Sequence, residues 1–303
     1  MTIFTRAVVG ATAARPVKSL ITETKPGLAL AKKFVAGDTL DEAVEVGRVL
    51  NERGFLLSLD LLGEEVHDRV SAVAALNEYM ACLERIDVDG LDANISVKLT
   101  QLGLSIDEGV ARHAVEQLAK RAAEAGTTVT IDMEDSRFTE QTVDIYADVQ
   151  ASIGHLGIAI QAYMKRTPDD LARLIPLGGH IRLCKGAYVE PSEAALGVKA
   201  AVDGAYEEYL KTLMAAEGTK PAVATHDPDL IEAARSLSAQ RIGYFEFQML
   251  YGVRSDLQES LVGEGFPVRI YLPFGSQWYP YLTRRMAERP ANVWFFARAM
   301  FGA

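Results

Sequence analysis

The sequence predicts an α/β protein with the architecture of a (β/α)8 TIM-like barrel. The chain has eight short runs of strand length, a helical pattern after each run, and no composition shift that would divide its 303 residues. Strands that alternate with helices pair in parallel through right-handed crossovers, so eight such units can close into a barrel. A doubly wound open sheet is the competing fold that alternation alone also allows.

The composition is that of an ordinary globular protein and excludes several classes of function. Apolar residues make up 49% of the chain, charged residues 24%, and the net charge is −10. This negative charge argues against non-specific binding to nucleic acid. Cys82 and Cys184 form neither a disulfide framework nor a CxxC motif, which indicates a reducing compartment. The apolar runs are too short to cross a bilayer.

Residues 1–37 are predicted to form an N-terminal helical extension that precedes the barrel domain of residues 38–303. Pro16 and the Pro26-Gly27 pair interrupt any long helix in this extension. Its first 20 residues contain three basic side chains and no acidic one, so a transit peptide is an alternative. The stretch has no signal-peptide apolar region or cleavage site, and we expect a plain helical segment.

The helices and strands of the barrel domain follow from apolar periodicity and from capping residues. Asp38 is expected to cap the first helix, and Thr167-Pro168 opens a later helix with Pro at its first position. The predicted strands are 55–62, 94–99, 128–131, 157–163, 180–187, 222–227, 244–250 and 268–272. The predicted helices are 38–53, 64–85, 106–125, 139–151, one from 167, 192–216, one from 228, 255–262 and one from 277.

Polar side chains recur where these strands end, and the reacting groups of such barrels lie at the C-terminal ends of strands. A lone strand lysine is usually a solvated edge residue, and a lone histidine is usually a core residue with a partner. Their convergence on one end of a barrel predicts a catalytic mouth. The residues are Lys98, Asp132, Glu134, Gln161, Arg182, Lys185, Thr225, His226, Glu246, Gln248 and Tyr271.

The segment after the fifth strand has features of a cofactor site. Gly186 and Ala187 allow the backbone to approach a ligand closely, and Lys185 with its neighbouring amides could hold a diphosphate. The spacing matches neither GxxxxGK[ST] nor GxGxxG, so barrel strands rather than a Rossmann loop would hold a nucleotide cofactor. No set of residues has the spacing of a zinc site, and we predict no metal.

The last predicted helix carries two adjacent arginines. Tyr281, Arg284, Arg285 and Glu288 lie at i, i+3, i+4 and i+7, on one face of the helix. Paired guanidinium groups can hold a carboxylate or phosphate. A solvated, charged helix face is the alternative interpretation.

These segments together resemble the proline dehydrogenase family, over about residues 40–298 and in the family's order. The chain resembles the monofunctional form, since it has no room for the aldehyde dehydrogenase or DNA-binding domains of the fused bacterial versions. The resemblance is carried by residues 95–99, 131–134, 160–166, 181–188, 224–226, 245–250, 269–271 and 281–288.

The resemblance implies an FAD enzyme that oxidises L-proline to Δ1-pyrroline-5-carboxylate by hydride transfer to the flavin. This reaction is the first step of proline catabolism to glutamate. The electrons would pass to a membrane quinone, so the resemblance implies a cytoplasmic protein with peripheral contact at the inner face of the membrane. We expect no transmembrane segment.

The resemblance also assigns roles residue by residue, with Lys98, Asp132 and Arg182 as the catalytic group. Asp132 would lie beside Lys98 and orient it, and Arg182 would lie near the reactive part of the isoalloxazine. The proline carboxylate would be held by Lys98, Arg284 and Arg285, and the ring would be walled by Leu250, Tyr271 and Tyr281. FAD would be surrounded by Met133, Gln161, Arg182, Lys185, Gly186, Ala187, Tyr188, Thr225, His226, Gln248 and Glu288.

The family often has an aliphatic residue at Cys184 and an aromatic one at Val189, and these departures affect cofactor packing only. Two other classes of protein stay open. Lys98 could form a Schiff base with a carbonyl substrate in a different barrel enzyme. Alternatively, the protein could bind flavin without catalysing a reaction.

Overall fold

The computed structural model describes residues 22, 24–63 and 65–288, and its strands form one closed barrel in chain order from β1 to β8. All eight neighbouring pairs are parallel, and β1 closes the barrel by pairing with both β2 and β8. The strands are β1 (Leu56–Leu61), β2 (Ala93–Val97), β3 (Val129–Ile131), β4 (Leu156–Gln161), β5 (Gly179–Cys184), β6 (Thr219–Ala224), β7 (Glu246–Leu250) and β8 (Val268–Phe274). The predicted (β/α)8 barrel is confirmed, and the open sheet is excluded.

A helix follows each strand, and two more of the described helices precede β1. None of the described helices is long and apolar enough to cross a bilayer. The helices are α1 (Lys25–Ala31), α2 (Leu40–Glu52), α3 (Arg69–Asp89), α4 (Glu108–Glu124), α5 (Thr139–Ser152), α6 (Thr167–Leu174), α7 (Lys199–Ala215), α8 (Pro228–Ser238), α9 (Ser255–Gly263) and α10 (Trp278–Glu288). A short 3-10 turn (Ile175–Leu177) follows α6.

Local hydrogen bonds correct the predicted starts of two helices. Thr39, not Asp38, caps α2, because its side chain accepts from the Glu42 N–H while Glu42 reaches back to the cap. The third helix was expected from Glu64, but α3 starts at Arg69, after the carboxylate of Asp68 accepts the Ser71 N–H. The apolar periodicity indicated which face of each helix is buried, but it did not indicate the residue at which the helix starts.

The alanine-rich helix was expected from Ser192, but α7 starts at Lys199. The backbone before it pairs instead with the loop after β4. Leu196 N–H donates to the Tyr163 carbonyl at 2.7 Å, and Lys165 N–H donates to the Ala194 carbonyl at 2.9 Å. These contacts compete successfully with the helical propensity of alanine, which is a weak preference.

The two faces of the strands differ in chemistry. Along β8, Val268, Ile270 and Leu272 are fully buried against the helices, whereas Arg269 and Tyr271 project into the barrel. The same alternation gives the barrel an interior rich in hydrogen-bonding groups. Buried polar interior residues are Ser58, Asp60, Asn94, Ser96, Thr130, His180, Arg182, Glu246 and Gln248. Branched apolar side chains usually fill the interior of such barrels.

The segment after α1 docks against the end of β8. Ala36 N–H donates to the Pro273 carbonyl at 2.8 Å, and Gly275 N–H donates to the Gly37 carbonyl at 2.9 Å. The side chains that accompany these bonds form one buried apolar cluster of Ala31, Phe34, Val35, Leu62, Trp278, Tyr281 and Leu282. Part of the predicted extension is therefore packed against the barrel. Residues 1–21, on which the transit-peptide alternative rests, lie outside the described residues, and the boundary at residue 37 stays a prediction.

Replacing Gly252 with alanine should weaken this docking. Gly252 has φ +71°, and a Cβ there would lie 1.7 Å from the Lys33 carbonyl oxygen. Gly218 is a matched control, since it has φ +81° and a Cβ there would meet no described atom within 4 Å. Both variants incur the left-handed strain of about 1–2 kcal/mol. We expect the free energy of unfolding, measured in urea, to fall by at least about 2 kcal/mol more in Gly252→Ala than in Gly218→Ala. Equal losses would show that residues around Lys33 do not contribute to stability.

Candidate active site

Arg182 lies at the centre of the barrel, close to its C-terminal end, which we call the mouth. Its guanidinium donates to four groups. Nη1 donates to Asp132 Oδ1, Nε to Gln248 Oε1, and Nη2 to Ser96 Oγ at 2.9 Å and, at 3.5 Å, to Ser58 Oγ. Burial alone lowers the pKa of Arg182, but the Asp132 carboxylate is the main opposing influence, and the pKa lies above its ordinary value. A buried positive charge is thereby fixed at one position and orientation.

Asp132 follows the last residue of β3 and joins the predicted groups to one another. Its second oxygen, Oδ2, accepts the Tyr271 hydroxyl at 2.6 Å and lies 3.6 Å from Lys98 Nζ. Asp132 therefore contacts Arg182, Tyr271 and Lys98 at once. Four side chains from β2, β3, β5 and β8, or from the residues that follow these strands, converge as expected at the mouth.

Lys98 has a nearer partner that the sequence reasoning missed. Asp60, buried to 1% exposure, accepts from Lys98 Nζ at 2.7 Å. Burial alone lowers the pKa of Lys98, but the carboxylates of Asp60 and Asp132 outweigh it and raise the pKa above its ordinary value. A lysine that forms a Schiff base needs a lowered pKa. This environment therefore argues against the Schiff-base alternative.

Tyr271 projects into the barrel, as the alternation along β8 predicts. The Arg182 Cζ atom lies 5.2 Å from the centre of its ring. Burial, together with the carboxylates of Asp132 and Asp60, holds the pKa of the Tyr271 phenol well above its usual range. The neutral hydroxyl can therefore act as a permanent donor to Asp132, while the ring remains a planar wall.

Gly186, two residues after the end of β5, has a backbone that only glycine tolerates. Its φ is +131°, and a Cβ there would lie 2.3 Å from a Tyr163 ring atom. Next to it, Lys185 Nζ lies 2.6 Å from both Asp203 and Asp227. The sequence did not predict these two carboxylate partners. An anionic ligand such as FAD would compete with them for Lys185.

The other predicted cofactor residues for which side chains are described follow β3 to β6 or lie in β4 and β7, at or below the rim of the barrel. Gln161 bridges this rim, since its Nε2 donates to the Glu134 carbonyl at 3.0 Å and its Oε1 accepts the Ala187 N–H at 3.2 Å. His226 Nε2 accepts the Leu250 N–H at 3.1 Å and so joins the ends of β6 and β7. Met133 and Thr225 are buried, whereas Tyr188 is 38% exposed.

The predicted helix with two adjacent arginines is present as α10, but the position of the arginine side chains that would hold a carboxylate is not described. Tyr281 is buried in the cluster that includes Trp278 and Phe34. The side chains of Arg284, Arg285 and Glu288 lie outside what the structure describes. Leu250 is half-buried at the end of β7 and is the strand neighbour of Tyr271.

Glu246 does not belong to the mouth, contrary to the expectation from sequence. It is the first residue of β7 and therefore lies at the opposite, N-terminal end of the barrel. A run of apolar and polar residues predicts a strand, but it does not show where the strand begins.

The donor set at the mouth fits a flavin dinucleotide. Arg182 supplies a buried cation, Gln161 and Gln248 supply amides, and the backbone at Gly186 can approach a ligand closely. Residues 186–189 are exposed at this rim and include the apolar side chains of Tyr188 and Val189. A planar, partly apolar cofactor would cover these side chains.

Comparisons with known proteins identify the family of this chain. The family model described as "Proline dehydrogenase" matches residues 43–298. The chain is 37% identical over 273 residues to "Proline dehydrogenase 1" of Bacillus subtilis subsp. natto, covering 89% of this chain and 90% of the relative. It is 36% identical over 279 residues to "Proline dehydrogenase" of Deinococcus radiodurans, with the same coverage of both chains.

The fold also resembles that of solved structures. Proline utilization A from Bdellovibrio bacteriovorus, inactivated by N-propargylglycine, superposes with a TM-score of 0.82 at 23% identity. The match covers 94% of this chain and 36% of that chain, so the protein spans about a third of the larger one. The family match and the two relatives show that the chain belongs to the proline dehydrogenase family.

Proposed function

We propose that the protein is an FAD-dependent enzyme that oxidises L-proline to Δ1-pyrroline-5-carboxylate. The observation that carries this proposal is the convergence of Asp132 with Arg182, Tyr271 and Lys98 at the mouth of a barrel of this family. The reaction is the first step of proline catabolism, and its product is the precursor of glutamate.

The fixed positive charges at the mouth suit the anionic end of proline. In the proposal, Lys98 holds the carboxylate together with Arg284 and Arg285 of α10. Asp60 and Asp132 keep Lys98 charged and limit its movement. The same cations disfavour a protonated amine nearby, because like charges repel. The site therefore selects proline with a neutral nitrogen, which is the reactive form.

Oxidation removes a hydride from one of the two ring carbons beside this nitrogen, the one that does not carry the carboxylate. The nitrogen lone pair forms the C=N bond as the hydride leaves, and the N–H proton then passes to water. FAD bound at the mouth supplies the hydride acceptor. Arg182, held by Asp132 and Gln248, adds a fixed positive charge where electron density increases. Tyr271, Leu250 and Tyr281 wall the proline ring.

The remaining rim residues hold the cofactor in this proposal. Gln161, Gln248, Lys185 and Gly186 lie near enough to the mouth to contribute hydrogen bonds, charge or close backbone approach. The others are Met133, Ala187, Tyr188, Thr225 and His226, and Glu288 of α10 would complete the set. In the proposal the electrons then pass to a membrane quinone, and the protein is cytoplasmic and contacts the inner face of the membrane peripherally.

The visible spectrum tests the proposed function. The purified protein should be yellow, and acid precipitation should release FAD into the supernatant. Addition of proline under anaerobic conditions should bleach the flavin absorbance. A short-chain ubiquinone should restore the colour, and NAD should not. Yellow protein that proline does not bleach would favour a non-catalytic flavin protein. A colourless protein whose substrate adduct is trapped by borohydride would favour the Schiff-base alternative.

The charge of Lys98 predicts the alkaline side of the pH profile. A group whose pKa is raised keeps its proton until the pH exceeds that raised value, and the ordinary pKa of lysine is already 10.5. We expect kcat/KM for proline to rise with pH as the substrate amine loses its proton, without a decline below about pH 10. A decline near pH 8 that disappears in Lys98→Met would show that Lys98 titrates and would contradict this assignment.

Changes at Tyr271 should alter selectivity between proline and 4-hydroxyproline. Tyr271→Ser removes the ring, so it should lower kcat/KM for proline through lost packing but leave room for an added hydroxyl. The preference for proline should shrink by about tenfold, or about 1.4 kcal/mol. Tyr271→Phe keeps the ring and loses the hydrogen bond to Asp132, so its preference should stay within about twofold of wild type. A preference unchanged in Tyr271→Ser would leave Tyr271 with a scaffold role only.

A further inference from the structure

Glu246 lies inside the barrel, on the side of Arg182 opposite the mouth, and is fully buried. Its carboxylate accepts four hydrogen bonds. Arg269 donates through Nε at 2.6 Å and Nη2 at 3.0 Å, and Tyr244 donates its hydroxyl at 2.6 Å. The fourth donor is Gln248 Nε2, at 2.6 Å from Glu246 Oε1. Neither the resemblance nor the proposed function gives Glu246 a role.

The environment keeps Glu246 ionised. Burial alone raises the pKa of this carboxyl, but Arg269 and His180 outweigh burial and hold the pKa well below its usual range. His180 Nε2 lies 3.2 Å from Glu246 Oε1. An ionised carboxylate can accept hydrogen bonds but cannot donate them.

This one-way chemistry determines which way the Gln248 amide faces. An amide has a donating NH2 end and an accepting oxygen end, and it can rotate to exchange them. Because Glu246 only accepts, the NH2 end of Gln248 must face it. The oxygen end then faces Arg182 and accepts from Nε. A reversed amide would set its NH2 group against the guanidinium, two donors face to face.

Arg182 is thus held at both ends. Gln248 contacts its Nε, and Asp132 contacts its Nη1. Loss of the Gln248 contact would leave Nη1 on Asp132 and Nη2 on Ser96, and the Nε edge of the guanidinium would then be free to shift. Asp132 also accepts the Tyr271 hydroxyl at 2.6 Å, so a movement of Arg182 that displaces Asp132 would also displace the ring of Tyr271.

We propose that Glu246 is a positioning residue, which acts through the Gln248 amide to fix the Arg182 guanidinium relative to Asp132. The kinetic consequence rests on the proposed function, in which Arg182 faces the flavin. The geometric consequence does not depend on it.

A double-mutant cycle tests the kinetic consequence. Glu246→Gln can present an NH2 group to Gln248, so flavin reduction at saturating proline should slow by about tenfold. In the Arg182→Lys background, which has no Nε–H to orient, the same change should slow reduction by less than about threefold. Equal factors in both backgrounds would mean that Glu246 acts through general stability, and would overturn the proposal.

Tyr244→Phe is the matched control. It removes one hydrogen bond from Glu246 Oε2 and leaves the Oε1 contact with Gln248 intact. We expect flavin reduction within about twofold of wild type. A loss as large as that of Glu246→Gln would overturn the specific role of Gln248. If Glu246→Gln does not fold, Glu246→Asp is the second variant. It keeps a negative charge beside Arg269 but draws the carboxylate away from Gln248. It should slow flavin reduction more in the wild-type background than in the Arg182→Lys background.

Crystal structures of wild type and Glu246→Gln test the geometric consequence without any activity. In the variant, the contact between Arg182 Nε and the Gln248 side chain should open beyond about 3.5 Å. An unchanged contact would overturn the proposal. A wild type that proline does not bleach would refute the proposed function alone, since the structures would still decide whether Glu246 positions Arg182.

Discussion

The ion pair between Arg182 and Asp132 is the constraint on which the rest of this barrel depends. A guanidinium at the centre of a barrel has lost its water, and a buried charge is tolerated only when it is paired and hydrogen-bonded. Asp132 supplies the opposite charge, and Ser96 and Gln248 accept further N–H groups. Once Arg182 is placed, the positions of Asp132 and its other partners follow.

Charge balance then runs along the whole barrel. At the mouth Asp60 pairs with Lys98 and Asp132 pairs with Arg182, and at the N-terminal end Glu246 pairs with Arg269. Each of these buried or half-buried cations thus has its own buried or half-buried carboxylate. This arrangement stabilises the charges but contributes little net stability. The apolar outer face of the strands, packed against the helices, provides the stabilising burial. The interior is consequently available for binding and chemistry.

The sequence predicted the strands well and their partners less well. Apolar runs such as 94–99 and 268–272 identify strands because burial against helices demands them, and Lys98, Asp132 and Arg182 follow from the rule of strand ends. Asp60 escaped notice because it lies within an apolar run, where only the pairing of β1 with β2 brings it to Lys98. The role of Glu246 depends on which end of β7 it occupies, and that depends on register. Contacts between distant strands are tertiary facts that local pattern does not encode.

The most direct measurement is a crystal structure of the FAD-loaded protein with a proline analogue whose ring nitrogen is replaced by oxygen. The account predicts the analogue's carboxylate within about 3.2 Å of Lys98 Nζ, with Arg182 still bonded to Asp132 and the ring of Tyr271 against the analogue. A carboxylate bound away from Lys98, or an Arg182 turned away from Asp132 in the complex, would contradict it.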